Sequence, residues 1–435
     1  MRAILVTGLF TLHWGRLQYG NVGNYYIVEP LFRQLHRHFA DYKIYTTFQM
    51  DEEFIRRENI EVLPMDLYYA WRGDVDVEEA KNDVEVAQKY IQNEGCELSP
   101  YVKAVLECEY VINIAGDMWG DNAEHVGYKR FLVDCLKMKA AQILNKKTIL
   151  YAVTPGPFSY EYEYALAKEV FTKFDLVVIR EMVSMDNLTK WGFSIDNVVW
   201  APCPSFLFEA NKGYESKWTK WIDDIHVQNR KVIGLTFGGF NMPCGPYDMW
   251  PRSEEQFRVY LSLAEYIIES LHMDIVIFSH TNGFELPPNF KMINGRDFQI
   301  LNQLYDILLK KHPEYKKHIL LIDEPLLPCN IKRVIGSLDM LITGRVHASV
   351  AATSQCVPTV YIEYDSNVIY SDKMSGFSAQ LGMEKYVCDP EDLEMIITKV
   401  DSCYTNLDEI RSHLNCVIPE IKKKAINVYS KIEAL

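Results

Sequence analysis

No run of apolar residues in this 435-residue chain is long enough to cross a bilayer, which takes roughly 18 to 20. The longest are broken by charges, so a membrane-spanning architecture is excluded on that pattern. An excess of positive charge is also missing. Against 59 Asp and Glu stand 45 Lys and Arg, a net of −14, which repels phosphate backbones and anionic lipid and argues against general nucleic-acid or membrane binding. The ten cysteines form no Cys-x-x-Cys and no Cys/His spacing of the zinc type, so no metal site is expected. They read as reduced thiols of a cytoplasmic protein, for the most part small buried hydrophobes. Residues 1–10 hold one cation and a short apolar run with no long hydrophobic region behind it, a first strand and not a secretion signal. What remains, 48% hydrophobic and 24% charged residues, is the composition of a globular protein with room for two large domains.

Short β-branched runs alternate with amphipathic stretches. Strands are expected at 3–7, 43–47, 110–114, 148–153, 176–179 and 198–200, with a helix over 24–38 carrying Ile27, Leu31, Leu35 and Phe39 on one face. A polar, Lys/Asp-rich stretch at about 207–230 reads as the domain boundary, and the alternation then restarts. Strands are expected at 232–236, 274–278, 318–322, 340–343 and 359–362, and helices at 256–271, 300–311 and 347–354. The last 35 residues are helical in pattern. The expectation is an α/β protein of two doubly wound, Rossmann-like domains, 1–210 and 230–435, with strand ends and helix N-termini facing a cleft.

Candidate chemistry lies at those strand ends. Gly-Asn-Val-Gly-Asn at 20–24 precedes the first helix, where glycines let backbone N–H groups turn toward a ligand; it is not a dinucleotide fingerprint, and Asn24 serves equally as a helix cap. After the 110–114 strand comes Ile-Ala-Gly-Asp-Met-Trp-Gly-Asp, placing Asp117 and Asp121 where a carboxylate can accept a proton from a sugar hydroxyl, or where Asp and Gly simply shape a turn. Thr-Pro-Gly-Pro at 154–157 reads as loop scaffold. Arg180, in Arg-Glu-Met-Val-Ser, is a guanidinium at the end of an apolar strand that needs either an anionic ligand or an acid such as Glu181. The strongest cluster is Thr-Gly-Arg-Val-His-Ala at 343–348. Arg345 and His347 sit where a strand turns sharply into a small-residue helix, a place suited to binding and protonating an anion. Asp365 adds a carboxylate after the 359–362 strand.

Taken in order over nearly the whole chain, these landmarks resemble the polysaccharide pyruvyl transferase family. The resemblance implies a fold like the glycosyltransferase-B type and transfer of pyruvate from phosphoenolpyruvate to a saccharide as a ketal, in polysaccharide or cell-surface glycan synthesis. It assigns donor binding and catalysis to Arg345 and His347, with Arg180 as a second donor ligand and Ser184 beside it. Helices after about 400 are expected to cross back to the first domain, the acceptor side. Phosphoenolpyruvate is then held at its two anionic ends by Arg180 and Arg345, His347 protonates the methylene carbon, and Asp117 orients or deprotonates the acceptor. Asp121, Asn24 and Asp365 are further substrate-side candidates, and no cofactor is required. Two positions depart from the family pattern: Asn24 stands where many members have Asp, and Asn367 where many have Lys, with Lys373 a candidate substitute. The acceptor can be lipid-linked, nucleotide-linked or polymeric, and a membrane-held one allows peripheral contact at the inner face of a membrane. Competing readings are a nucleotide-sugar glycosyltransferase, with Glu324, Glu363 or Asp365 as the ribose-binding acid, and a saccharide-binding protein without turnover, which 27 Tyr and 8 Trp would suit.

Overall fold

The structure is a computed structural model that describes residues 2–10, 20–242, 249–285, 291–364 and 373–435. It divides into two compact units. The first comprises Met1–Leu17, Leu31–Cys203 and Lys424–Leu435; the second comprises Gln18–Pro30 and Pro204–Lys423.

The first unit is built on seven strands: β1 (Ala3–Gly8), β2 (Lys43–Thr46), β3 (Glu61–Val62), β4 (Tyr110–Ile114), β5 (Lys147–Val153), β6 (Leu176–Ile179) and β7 (Val198–Trp200). They form one sheet in the order β3-β2-β1-β4-β5-β6-β7, and all its pairings are parallel. Every residue of β1, β4 and β6 is buried. That is why these strands read as continuous apolar runs: helices cover both faces, so neither face needs polar residues. The core beneath them gathers Trp119, Phe131, Phe171 and Val105 with the Asp74–Ile91 and Arg130–Ile143 helices.

The second unit repeats the plan with β8 (Val232–Thr236), β9 (Asp274–Ile277), β12 (Ile319–Leu321), β13 (Met340–Thr343), β14 (Thr359–Ile362) and β15 (Val387–Cys388) in the order β12-β9-β8-β13-β14-β15. Between β9 and β12 the chain adds an antiparallel pair, β10 (Asn282–Phe284) and β11 (Met292–Asn294). In each unit the strand order reverses beside the first strand, between β1 and β4 and between β8 and β13. Loops leaving the carboxyl ends there diverge to opposite faces and open the crevice where such sheets bind ligands.

The strands expected from the sequence are present, most within a residue or two of their expected ends. The two-residue strands β3 and β15 and the hairpin carry too few residues to show a period. The 207–230 stretch is no spacer: its Lys217–Val227 helix, capped by Ser216, buries Trp218 and Ile222 in the second unit's core. The first long helix starts at Val22, two residues earlier than expected, and Asn21, not Asn24, serves its start, with Oδ1 accepting from Gly23 N at 2.9 Å. Nine cysteines are unpaired among the described residues; Cys244 lies outside them. Among the described residues no helix is long and apolar enough to cross a membrane.

Candidate active site

In the second unit, β13 delivers Thr343 and Gly344 to the switch point. The backbone N–H of Arg345 donates to Thr343 Oγ1 at 2.9 Å, and the Val346–Thr353 helix begins at once. Gly344 is required by closeness: a Cβ there would fall 2.1 Å from Cγ of the buried Asn241. Asn241 accepts from Gly238 N at 3.0 Å and donates to Glu363 O at 3.0 Å, locking the loops after β8, β13 and β14 together.

Three helices begin at this place. Asp297, second residue of the Arg296–Lys311 helix, takes Arg345 in a two-pronged pair: Nε donates to Oδ2 at 2.8 Å and Nη2 to Oδ1. A Cβ on Gly238 would meet both Arg345 and Asp297. Gly23, in the first turn of the Val22–His38 helix, lies against the His347 ring, and His347 itself is in the first turn of the Val346–Thr353 helix. The loops are tied further by Asn282 N to Gly20 O at 2.9 Å and by Thr281 Oγ1, which accepts from Asp297 N at 3.2 Å. The positive ends of three helix dipoles therefore converge around Arg345 and His347, an arrangement that favours an anion.

This corrects the simple picture of Arg345 as an open anion ligand. It is 9% exposed and bound to Asp297, so the net charge of the pair is close to zero. The anion-attracting potential comes from the helix N-termini. His347 is partly exposed and meets Phe377 edge-on at 6.2 Å. Phe377 shares the Lys373–Ala379 helix with Lys373, whose ammonium lies 4.5 Å from the Tyr364 ring centre, so that lysine belongs to the His347 neighbourhood. His280, just after β9, is fully buried, edge-on to Tyr26, and has its imidazole pKa pushed down to about 3 by burial and by the cations Arg345 and Lys332. Asn24, expected in the first domain, belongs to this unit. Asp365 and Asn367 lie outside the described residues.

In the first unit, Arg180 is 2% exposed. Its Nε donates to Thr154 Oγ1 at 2.7 Å and stands 3.5 Å from Glu181. Glu181 is buried, accepts from Ser184 Oγ at 2.6 Å, and is held above the usual carboxylate range by desolvation, Arg180 opposing. The acid partner foreseen for Arg180 is thus present, and Ser184 serves Glu181. Between Tyr151 and Val153 the β5–β6 register shifts, and Ala152 takes φ +54, a bulge that ends the strand beside Thr154. Asp117 is partly exposed on the loop after β4 and lies close enough to Glu181 to raise its pKa. Asp121 ties two loops together, Oδ2 accepting from Ser159 N at 2.7 Å. Sequence reasoning missed Asp297, Asn241, Gly23 as a neighbour of His347, and Thr154; the adjacent Gly238 and Gly239 after β8 are the one local signal from which a close approach there could have been read.

Two parallel, doubly wound units with loop sites at their switch points define a protein of the glycosyltransferase-B class of fold. Solved structures with that architecture match along the chain. They include HepE of Anabaena in complex with UDP (10% identity, all of both chains, TM-score 0.58) and a glycosyltransferase of Rickettsia africae (10%, 99% and 98%, 0.55). A provisionally named UDP-N-acetylglucosamine 2-epimerase of Listeria monocytogenes matches as well (12%, 100% and 98%, 0.60). The polysaccharide pyruvyl transferase family model matches residues 21–366, so the chain belongs to that family, one of transferases in polysaccharide biosynthesis. The amylovoran biosynthesis protein AmsJ of Erwinia amylovora is 20% identical over 419 residues, 91% of this chain and 92% of AmsJ.

Proposed function

We propose that the protein transfers pyruvate from phosphoenolpyruvate to two hydroxyls of a saccharide, forming a ketal and releasing phosphate. The observation that carries this reading is the meeting of three helix N-termini at Arg345 and His347, a site for a small dianionic donor. Backbone N–H groups there receive the donor's phosphate or carboxylate, and Arg345, aimed by Asp297, borders them. His347 protonates the methylene carbon while the first hydroxyl bonds to carbon 2. The second hydroxyl then displaces phosphate, whose departing oxygen carries the remaining proton, and the methylene has become a methyl. Asp117 is assigned to orient the acceptor hydroxyl, and Arg180 with Ser184 to hold its loop through Glu181.

Phosphate release from phosphoenolpyruvate with saccharide acceptors tests the reading. His347→Ala is expected to abolish release with an unchanged melting temperature; near-normal release would overturn the assignment. Arg345→Ala is the weaker probe, because it strands Asp297 as an unpaired buried carboxylate, at a cost of about 3 to 5 kcal/mol.

One observation favours the nucleotide-sugar alternative. A narrow crevice is lined by Ser279, Asn282, Asn294, Glu324 and Ile331, mixing a carboxylate and amides with apolar walls. The likeness to UDP-bound HepE points the same way. A larger melting shift with UDP than with phosphoenolpyruvate would favour it.

A further inference from the structure

Gly23 and His347 come from helices far apart in the chain, and both helices are set against a third, Pro328–Ile335. On the His347 side, Gln355 Nε2 donates to Lys332 O and to Ala351 O, each at 2.8 Å, which ties the third helix to Val346–Thr353. On the Gly23 side the tie is Tyr26, one turn further along the Val22–His38 helix. Its ring is wholly buried, stacked on Phe208 at 4.5 Å and edge-on to His280 at 5.4 Å, and its hydroxyl donates to Pro328 O at 3.1 Å. Since a Cβ does not fit between Gly23 and the imidazole, the hold of Tyr26 on the helix start sets where that backbone meets His347.

Lys332 completes this anchor. Its Nζ lies 5.7 Å from the Tyr26 and Phe208 ring centres and donates to Phe208 O at 2.7 Å, its one hydrogen bond among the described residues, where it makes no ion pair. A neutral amine in this place leaves one N–H without an acceptor; an ammonium leaves two, with a buried charge that the ring faces offset only weakly. The charged groups that face the amine are Lys422 on the Leu407–Glu433 helix, Glu209 after Phe208 and Glu29 on the Tyr26 helix, with His280 and Cys329 the other titratable neighbours of the anchor. Burial lowers the amine pKa to about 7, Lys422 adding to the fall and the two acids opposing it.

We propose that Tyr26 is a positioning residue that holds the first turn of the Val22–His38 helix against His347, and that uptake of a proton by Lys332 releases this hold. The inference rests on the reading that His347 acts on the donor, and it adds a pH control of that site distinct from the titration of His347 itself. Opening the anchor wets the amine, which then titrates near 10.5. Between pH 7 and that value opening takes up a proton, so the opening constant falls about tenfold for each unit that the pH rises.

The test is hydrogen exchange of the full chain at pH 7, 8 and 9, read on the amides of residues 26–29 after correction for the intrinsic rate. Wild type is expected to gain about tenfold in protection per pH unit there, and Lys332→Met to gain none. Equal slopes in the two proteins overturn the proposal, and so does an equal rise at β8, which would mark unfolding of the whole unit. Phosphate release gives the second readout. Tyr26→Leu is expected to lower kcat at least about tenfold with the donor KM little changed, and Tyr26→Phe, which keeps the ring, to restore most of it. Wild-type kcat in Tyr26→Leu overturns the positioning role. No release by wild type sinks the transferase reading alone, and the exchange series then decides the anchor.

Discussion

A Cβ on Gly23 would lie 2.2 Å from Nδ1 of His347 and 2.7 Å from its Cβ. The side chain cannot swing clear with its own Cβ in the way, so Gly23→Ala must shift either the helix start or the imidazole. Misplacing a reacting group by about 1 Å costs on the order of a hundredfold in rate. The expected outcome for Gly23→Ala is therefore a fall of about that size in kcat with only a small drop in melting temperature, measured by phosphate release and thermal denaturation. Unchanged kcat would show that the His347 ring does not act from this position. At the same scale, Arg345 and His347 were legible because a strand, a glycine and a small-residue helix fall in one short stretch. Asp297, 48 residues from Arg345, was not, since nothing local marks which of 59 acids pairs with a given arginine.

The Pro328–Ile335 helix carries a lysine on its buried face. Lys332 Nζ donates to Phe208 O at 2.7 Å and lies 5.7 Å from the rings of Tyr26 and Phe208. Burial lowers its amine pKa to about 7, the Lys422 charge adds to the fall, and Glu209 and Glu29 oppose it. In the unfolded chain the amine titrates near 10.5. Between those values the unfolded state binds a proton that the folded state does not, so this contribution to stability rises with pH from about 7 to about 10.5 and is lowest below 7. Lys332→Met should flatten the rise. Melting temperatures of both proteins from pH 7 to 10 check this, and parallel curves would refute it. The element also shows why an apolar period alone misleads: a lysine on a buried face reads as a solvated break in the pattern until its neighbours are known.

For the whole molecule, the grouping of the chain matters more than its order. Lys424–Leu435 belongs to the first unit, where Tyr429 is fully buried, receives a hydrogen bond from Tyr151 OH at 2.8 Å and stacks on His38 at 5.7 Å. Tyr429→Ala removes a large ring and leaves the Tyr151 hydroxyl alone, so urea denaturation should show a loss of about 3 to 5 kcal/mol. A loss below about 1 kcal/mol would mean that the tail adds little to that core.

The sequence by itself determined the two parallel sheets, because a strand covered on both faces must be apolar throughout and the helices between must be amphipathic, patterns readable within ten residues. It also determined the ordered motifs that mark the family. Only the tertiary structure decided that Asp297 neutralises Arg345, that Gly23 meets His347, and that Gln18–Pro30 groups with the second unit. Each of those depends on residues far apart in the chain, whose meeting is set by strand order and loop packing and leaves no periodic trace in the sequence.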